Sequence, residues 1–158
     1  MSGKEKEMDS AGLGLKELSA CRECTCFNLR KATRVVTQFF DERMRPFDLR
    51  GTQFALLAHT YAMGPVAMTK LAEMMVTDRT TLARNLDPLV KSGLINVEHG
   101  DDRRKRIISI TAEGRKRMTE AYPVWKETQE EVQKIMGHDH WSSMMSEVSN
   151  LVGRIQEK

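Results

Sequence analysis

Residues 66–111 constrain this chain more than any other stretch. Two short amphipathic patterns, Val66 to Val76 and Asp78 to Ser92, run almost without a linker into Gly93-Leu94-Ile95-Asn96-Val97. A charged turn follows, Asp101-Asp102-Arg103-Arg104-Lys105-Arg106, and then a second apolar run, Ile107-Ile108-Ser109-Ile110-Thr111. In the second pattern Leu82, Leu86, Leu89 and Val90 recur at helical spacing, while Arg79, Thr80, Thr81, Arg84 and Asn85 fall on the opposite side. Ile108 and Ile110 alternate with polar neighbours, the signature of a half-buried strand. The expected unit is a helix, a tight turn, a second helix and a two-stranded ribbon with a cationic tip. Such a unit can lay its second helix in the major groove of DNA and reach the backbone or minor groove with the ribbon.

Charge distribution agrees with that use, although the net charge of +3 over 158 residues argues nothing by itself. Seven basic side chains and one acidic lie between Arg103 and Arg117, a local excess of +6, whereas the stretch from Met118 to Lys158 holds four basic and seven acidic residues. A basic middle and an acidic C-terminal arm suggest one face for an anionic polymer and another region with a different task. A solvated hairpin with ordinary surface ion pairs is the competing reading. No apolar run approaches the roughly 18 residues that span a bilayer, and no apolar leader opens the chain, so a cytoplasmic protein with no membrane contact is expected. The sequence shows no phosphate-binding glycine loop and no nucleophile with a plausible base, so no enzyme and no cofactor are expected. Cys21, Cys24 and Cys26, even with His138 or His140, match no closed zinc spacing, so no metal is expected either.

The flanks read as helices. Residues 1–20 have little periodic apolarity and are expected to form a flexible tail. From Cys26, the positions Leu29, Ala32, Val36, Phe40 and Met44 make one stripe that should stop before Pro46. Thr52 is expected to cap a helix with Phe54, Leu57, Ala58 and Tyr61 inward, ended by Gly64-Pro65. Met68 to Met75 makes a short helix with Leu71, Ala72 and Met75 inward. Asp78 or Thr77 caps the next, Pro88 should kink it, and Gly93 stops it. A long helix from Thr111-Ala112-Glu113-Gly114 to about Met136, bent at Pro123, precedes a last helix capped by Asp139, with Trp141, Met144, Met145, Val148, Leu151, Val152 and Ile155 on one stripe. These terminal helices carry broad apolar faces and no sheet to cover, so they should pack on each other or on a second copy of the chain. The fold class is therefore mainly α with a small antiparallel β wing. Residues 21–50 are assigned to an N-terminal dimerisation helix, 51–111 to the winged helix-turn-helix lobe and 112–158 to C-terminal dimerisation helices.

With those residues in place, the chain resembles the MarR (multiple antibiotic resistance regulator) family of winged-helix transcription factors. The resemblance rests on Thr52-Gln53-Phe54-Ala55-Leu56-Leu57, Thr80-Thr81-Leu82-Ala83-Arg84-Asn85-Leu86, Leu89-Val90-Lys91-Ser92-Gly93-Leu94-Ile95, and Asp102-Arg103-Arg104 followed by Ile110-Thr111-Ala112-Glu113-Gly114. It implies a homodimer, a palindromic operator in double-stranded DNA and, commonly, repression relieved by a small molecule or by thiol oxidation. Arg79 and Arg84 can donate in pairs to guanine, Asn85 can pair with adenine, and Thr80 and Thr81 can meet phosphate or a thymine methyl. Thr69 is a candidate phosphate contact, and Arg103, Arg104 and Lys105 form the cationic tip. Asp102 resembles the family's acidic wing residue and would orient Arg104. The resemblance also implies a pocket between the terminal helices and the DNA-binding lobe, for which Phe40, His59 and Tyr61 are candidate lining residues and an apolar or aromatic molecule the candidate effector. Cys26-Phe27 sits where peroxide-sensing members place their reactive cysteine, with Arg30 and Phe40 where those members hold tyrosines. Cys21, Cys24 and Cys26 are thus candidate redox residues.

Overall fold

The computed structural model describes residues 18–100, 102 and 105–157. Most of the expected tail and the wing residues Arg103 and Arg104 lie outside the described residues. By its internal contacts the chain divides into two compact units, one up to Phe39 and one from Phe40 onward.

In the first unit a single 3-10 turn, Ala20–Glu23, precedes helix α1, Thr25–Met44, which continues into the second unit. Asn28 fastens the turn to the helix by donating from its side-chain amide to the carbonyls of Arg22 (2.8 Å) and Cys24 (3.0 Å). The helix ends ahead of Pro46, as the steric limit on the residue before proline requires. Of its expected stripe, Met44 is buried and Phe40 half-buried, but Leu29, Ala32 and Val36 are exposed in the single protomer.

The second unit holds α2 (Gly51–Met63), β1 (Val66–Ala67), α3 (Met68–Met74), α4 (Arg79–Lys91), β2 (Ile95–His99), β3 (Arg106–Ile110), α5 (Ala112–Met136) and α6 (His138–Gln156). The three strands form one antiparallel sheet in the order β1-β3-β2, with Ile95 opposite Ile110, Val97 opposite Ile108 and Val66 opposite Ile108. Val66 and Ala67, expected to open a helix, instead pair with β3. Val66 is buried where it pairs with Ile108, and a β-branched side chain packs well in such a strand. Leu57, Leu71, Leu82, Leu86, Leu89, Leu94 and Ile108 are all buried and form the centre of the core. Two inward assignments fail, since Tyr61 and Val90 are exposed, and Leu56, not expected inward, is buried. Val90 lies a quarter-turn past Leu89, beyond the edge of the buried stripe.

Caps show how local chemistry sets these boundaries. Thr52 does not cap α2, because the helix begins one residue earlier. Gln53 Oε1 accepts the Arg50 N–H at 2.8 Å, and Asp41, from the last turn of α1, accepts the Gly51 N–H at 2.8 Å. Asp139 does not cap α6; it lies inside its first turn, after Gly137 at φ +78°. Gly93 ends α4 at φ +71° with two reverse hydrogen bonds, Leu94 N–H to Leu89 O (2.9 Å) and Gly93 N–H to Val90 O (3.0 Å). The same double bond closes α3, Thr77 N–H to Ala72 O and Val76 N–H to Glu73 O, both at 3.0 Å, but the left-handed residue there is Val76 at φ +50°. A β-branched residue in that region carries about 1–2 kcal/mol of strain.

One junction ties the second helix, the ribbon and the long helix together. Thr111 donates its hydroxyl to Gly93 O (2.7 Å) and its N–H to Leu94 O (3.1 Å), while Thr111 Oγ1 accepts the Gly114 N–H (2.9 Å) and so caps α5. Gly114 permits the close approach: a Cβ on it would stand 2.1 Å from Leu94 O and 2.8 Å from Ile110 Cγ1. Gly114→Ala should therefore lower stability by about 1–3 kcal/mol, as overpacking against backbone does, read as a reduced denaturation midpoint in urea.

Candidate nucleic-acid interface and its neighbouring cavity

Helix α4 presents Arg79, Thr80, Thr81, Arg84 and Asn85 as exposed side chains, while Leu82, Leu86 and Leu89 hold its other face in the core. The helix runs unbroken through Pro88 to Lys91, with Asp87 and Lys91 paired at 2.6 Å along its surface. Its N-terminus is set by Asp78, whose carboxylate accepts the Thr81 N–H at 2.9 Å and the Thr81 hydroxyl at 2.6 Å. Those two bonds, the hydroxyl first, hold the Asp78 carboxyl below the usual carboxylate range. The arrangement also spends the Thr81 hydroxyl proton inside the protein. Phosphate oxygens only accept, so the Thr81 hydroxyl has no proton left to give one.

Between the start of α3, the start of α4 and the ribbon lies a cleft of about 480 Å³ lined by Thr69, Arg79, Asp102, Lys105 and Arg106, with Met68 and Ala67 at its floor. It thus gathers four residues expected from sequence from three separate segments: Thr69 from α3, Arg79 from α4, and Asp102 and Lys105 from the turn of the ribbon. Arg106, which the sequence puts at the end of the charged turn but not among the candidate contacts, joins them. Its sequence signal was its place at the end of the basic run; what placed it in the cleft is the strand register.

A second cavity, of about 470 Å³, opens between α2 and α5. Phe54, His59, Tyr61, Met118, Tyr122 and Trp125 line it. The Trp125 ring stacks on Phe54 at 5.5 Å and on Tyr122 at 5.9 Å, so one wall is a continuous aromatic surface. His59 and Tyr61, candidate lining residues from the sequence, are among its walls. Phe40 does not line this cavity; it packs at the start of α2, where its Cβ would be 2.8 Å from a Cβ on Gly51. Trp125, Tyr122 and Met118 were read only as apolar positions of a long helix, because nothing local says which neighbour that helix meets. In the first unit Cys21, Cys24 and Cys26 are all free and exposed, with the Cys24 N–H donating to Cys21 O at 3.2 Å across the 3-10 turn. No helix among the described residues is long and apolar enough to cross a membrane.

A sequence profile of the MarR family matches residues 49–105, from two residues before α2 to the ribbon. Among solved structures, the transcriptional regulator MosR of M. tuberculosis, crystallised in complex with DNA, is 34% identical. The match covers 85% of this chain and 97% of that one, with a TM-score of 0.78. The chain belongs to the MarR family. Its fold, mainly helical with a small antiparallel wing of three strands and terminal helices, is the MarR winged helix-turn-helix, and the family is one of DNA-binding transcriptional regulators. A MarR mutant from E. coli crystallised with operator DNA shares the fold at 17% identity, with a TM-score of 0.74 over 84% of this chain and 96% of that one. The transcriptional regulator HosA of E. coli O157:H7 is 32% identical over 85 residues, which cover 53% of this chain and 63% of HosA.

The Asp78 cap carries a pH signature. Because folding lowers the Asp78 carboxyl, its contribution is complete above the unfolded value and is lost as pH falls through the folded one. Asp78→Ala should melt below the parent protein at pH 7, and the gap in Tm should close as pH drops below the ordinary carboxylate range.

Proposed function

We propose that this MarR-family chain is a homodimeric repressor that reads a palindromic operator and is released by a small apolar or aromatic effector. The observation that carries the reading is the face of α4, where Arg79, Arg84 and Asn85 stand exposed on a helix firmly capped at Asp78, beside a cation-lined cleft at the base of the wing. Those three residues have the donor and acceptor patterns that read base edges; Thr80 and the Thr81 methyl suit sugar or thymine methyl, and Thr69 and Lys105 suit phosphate. Arg103 and Arg104 are assigned to the wing tip on the sequence alone. On this reading residues 51–111 form the DNA-reading lobe, and residues 21–50 and 112–158 join two copies. The support for pairing is α6, which buries no residue and leaves Met144, Met145, Val148, Val152 and Ile155 exposed along one stripe. The cavity walled by Phe54, Tyr122 and Trp125 suits a planar apolar effector, and occupancy there would shift the population towards a spacing of the two α4 helices that no longer fits successive major grooves about 34 Å apart.

Sequencing the duplex fragments retained by the purified protein at physiological salt tests this. An inverted repeat with half-sites one helical turn apart is expected, and Arg84→Ala should cost about 1–3 kcal/mol and relax the preference at one base pair of each half. Retention no better than that of random competitor would overturn the reading.

A second reading has its own observation, the exposure of all three thiols within six residues at the N-terminal side of α1. On that reading oxidation at Cys26, or between Cys21 and Cys24, releases DNA. Treatment with hydrogen peroxide should then weaken operator binding in the parent protein and leave Cys26→Ser or the Cys21→Ser/Cys24→Ser pair unaffected; equal loss in all of them would remove it.

A further inference from the structure

We infer that Arg106 is a phosphate-binding residue that fastens the base of the wing to the same stretch of DNA backbone as the start of α4. This rests on the DNA-reading proposal and adds to it a contact outside both the recognition helix and the wing tip.

The argument begins with strand geometry. Side chains two apart on a strand share a face, so Arg106 shares the face of Ile108, which is fully buried and opposed by Val66 on one side and Val97 on the other. Arg106 therefore projects on the helix-facing side of the ribbon. It stands one residue beyond the last β1 pair, Ala67 with Ile107, just where the sheet ends and α3 begins. There it meets Arg79, the first residue of α4, and Lys105 across one cleft. Among the described residues, three cations share this space with a single carboxylate, Asp102, and none of the three has an ion-pair partner.

Three cations beside one carboxylate favour any anion that can sit among them. The cleft adds the Thr69 hydroxyl, a donor suited to a phosphate oxygen. A tetrahedral monoanion with several acceptor oxygens matches this donor set. The cleft opens between the two elements that approach duplex DNA, and a backbone phosphate is the source to which the structure points. Arg106 is a guanidinium, which can hold two oxygens of one phosphate while Arg79 approaches from the helix side.

The test uses the full chain and a duplex selected by it, with binding followed by fluorescence anisotropy over a salt series. Arg106→Gln should weaken binding roughly three- to tenfold at about 0.15 M salt, equally for the selected duplex and for random duplex. The plot of log affinity against log salt should become shallower by about one phosphate's worth, while Arg106→Lys keeps the slope. Introducing one neutral methylphosphonate at a time should reveal a position that weakens the parent protein and has no effect on Arg106→Gln. Because the side chain is exposed, the variant should melt with the parent. An unchanged affinity and slope in Arg106→Gln, with the parent binding normally, would overturn this inference alone; failure of the parent to bind any duplex would bring down the DNA-reading proposal with it. Inorganic phosphate binding at constant ionic strength that depends on Arg106, alongside DNA binding that does not, would reassign the cleft to a free anion and overturn the backbone source.

Discussion

The Thr111 junction is the contact on which the rest of the DNA-binding unit depends. One hydroxyl and one N–H take up the carbonyls of Gly93 and Leu94, at the point where α4 has just ended and β2 is about to begin. The same oxygen caps α5, and Gly114 lets that helix start against the Leu94 carbonyl. Three elements, α4, the ribbon and the long helix α5, are thereby held at one place. Buried Leu89, Leu94 and Ile95 pack around the same point, so hydrogen bonds fix direction and apolar contact supplies the cohesion. Small changes at the cavity between α2 and α5 would consequently be passed to α4 and the ribbon as a unit. The wing cannot easily swing while the helix stays.

Electrostatics at the other end of α4 have a different character. Asp78 is committed to the helix it starts: its two bonds from Thr81 stabilise the charged carboxylate and fix it as the cap. Among the described residues, Asp102 is the one acidic group lining the neighbouring cleft. Along α5 opposite charges pair instead, Glu131 with Arg43 of α1 and Arg117 with Glu113.

Much of this was legible in the residues because it depends on near neighbours. Asp78, Gly64, Gly93 and Gly137 marked helix ends through capping chemistry, and the Leu82-Leu86-Leu89 spacing separated the buried and presented faces of α4. What could not be read depends on residues distant in sequence. Asp41 takes the Gly51 N–H across an inter-helix loop, so Thr52 looked like a cap and is not one. Val66-Ala67 is a strand only because β3 passes beside it. Trp125 stacks on Phe54 across 71 positions, and no local pattern tells which of two apolar helices another will meet. Val76, in a backbone region that β-branched residues avoid, gave no signal either, since the closing hydrogen bonds of α3 impose that conformation from outside.

The placement of the tryptophans has a practical consequence. There are only two, and they are in different neighbourhoods: Trp125 in the aromatic wall of the α2–α5 cavity, and Trp141 half-buried near the start of the terminal helix α6. Indole emission responds to the polarity around the ring, so ultraviolet excitation interrogates cavity and terminal helix through separate chromophores. Replacing either one with phenylalanine isolates the other, and the protein supplies its own optical probes without a dye.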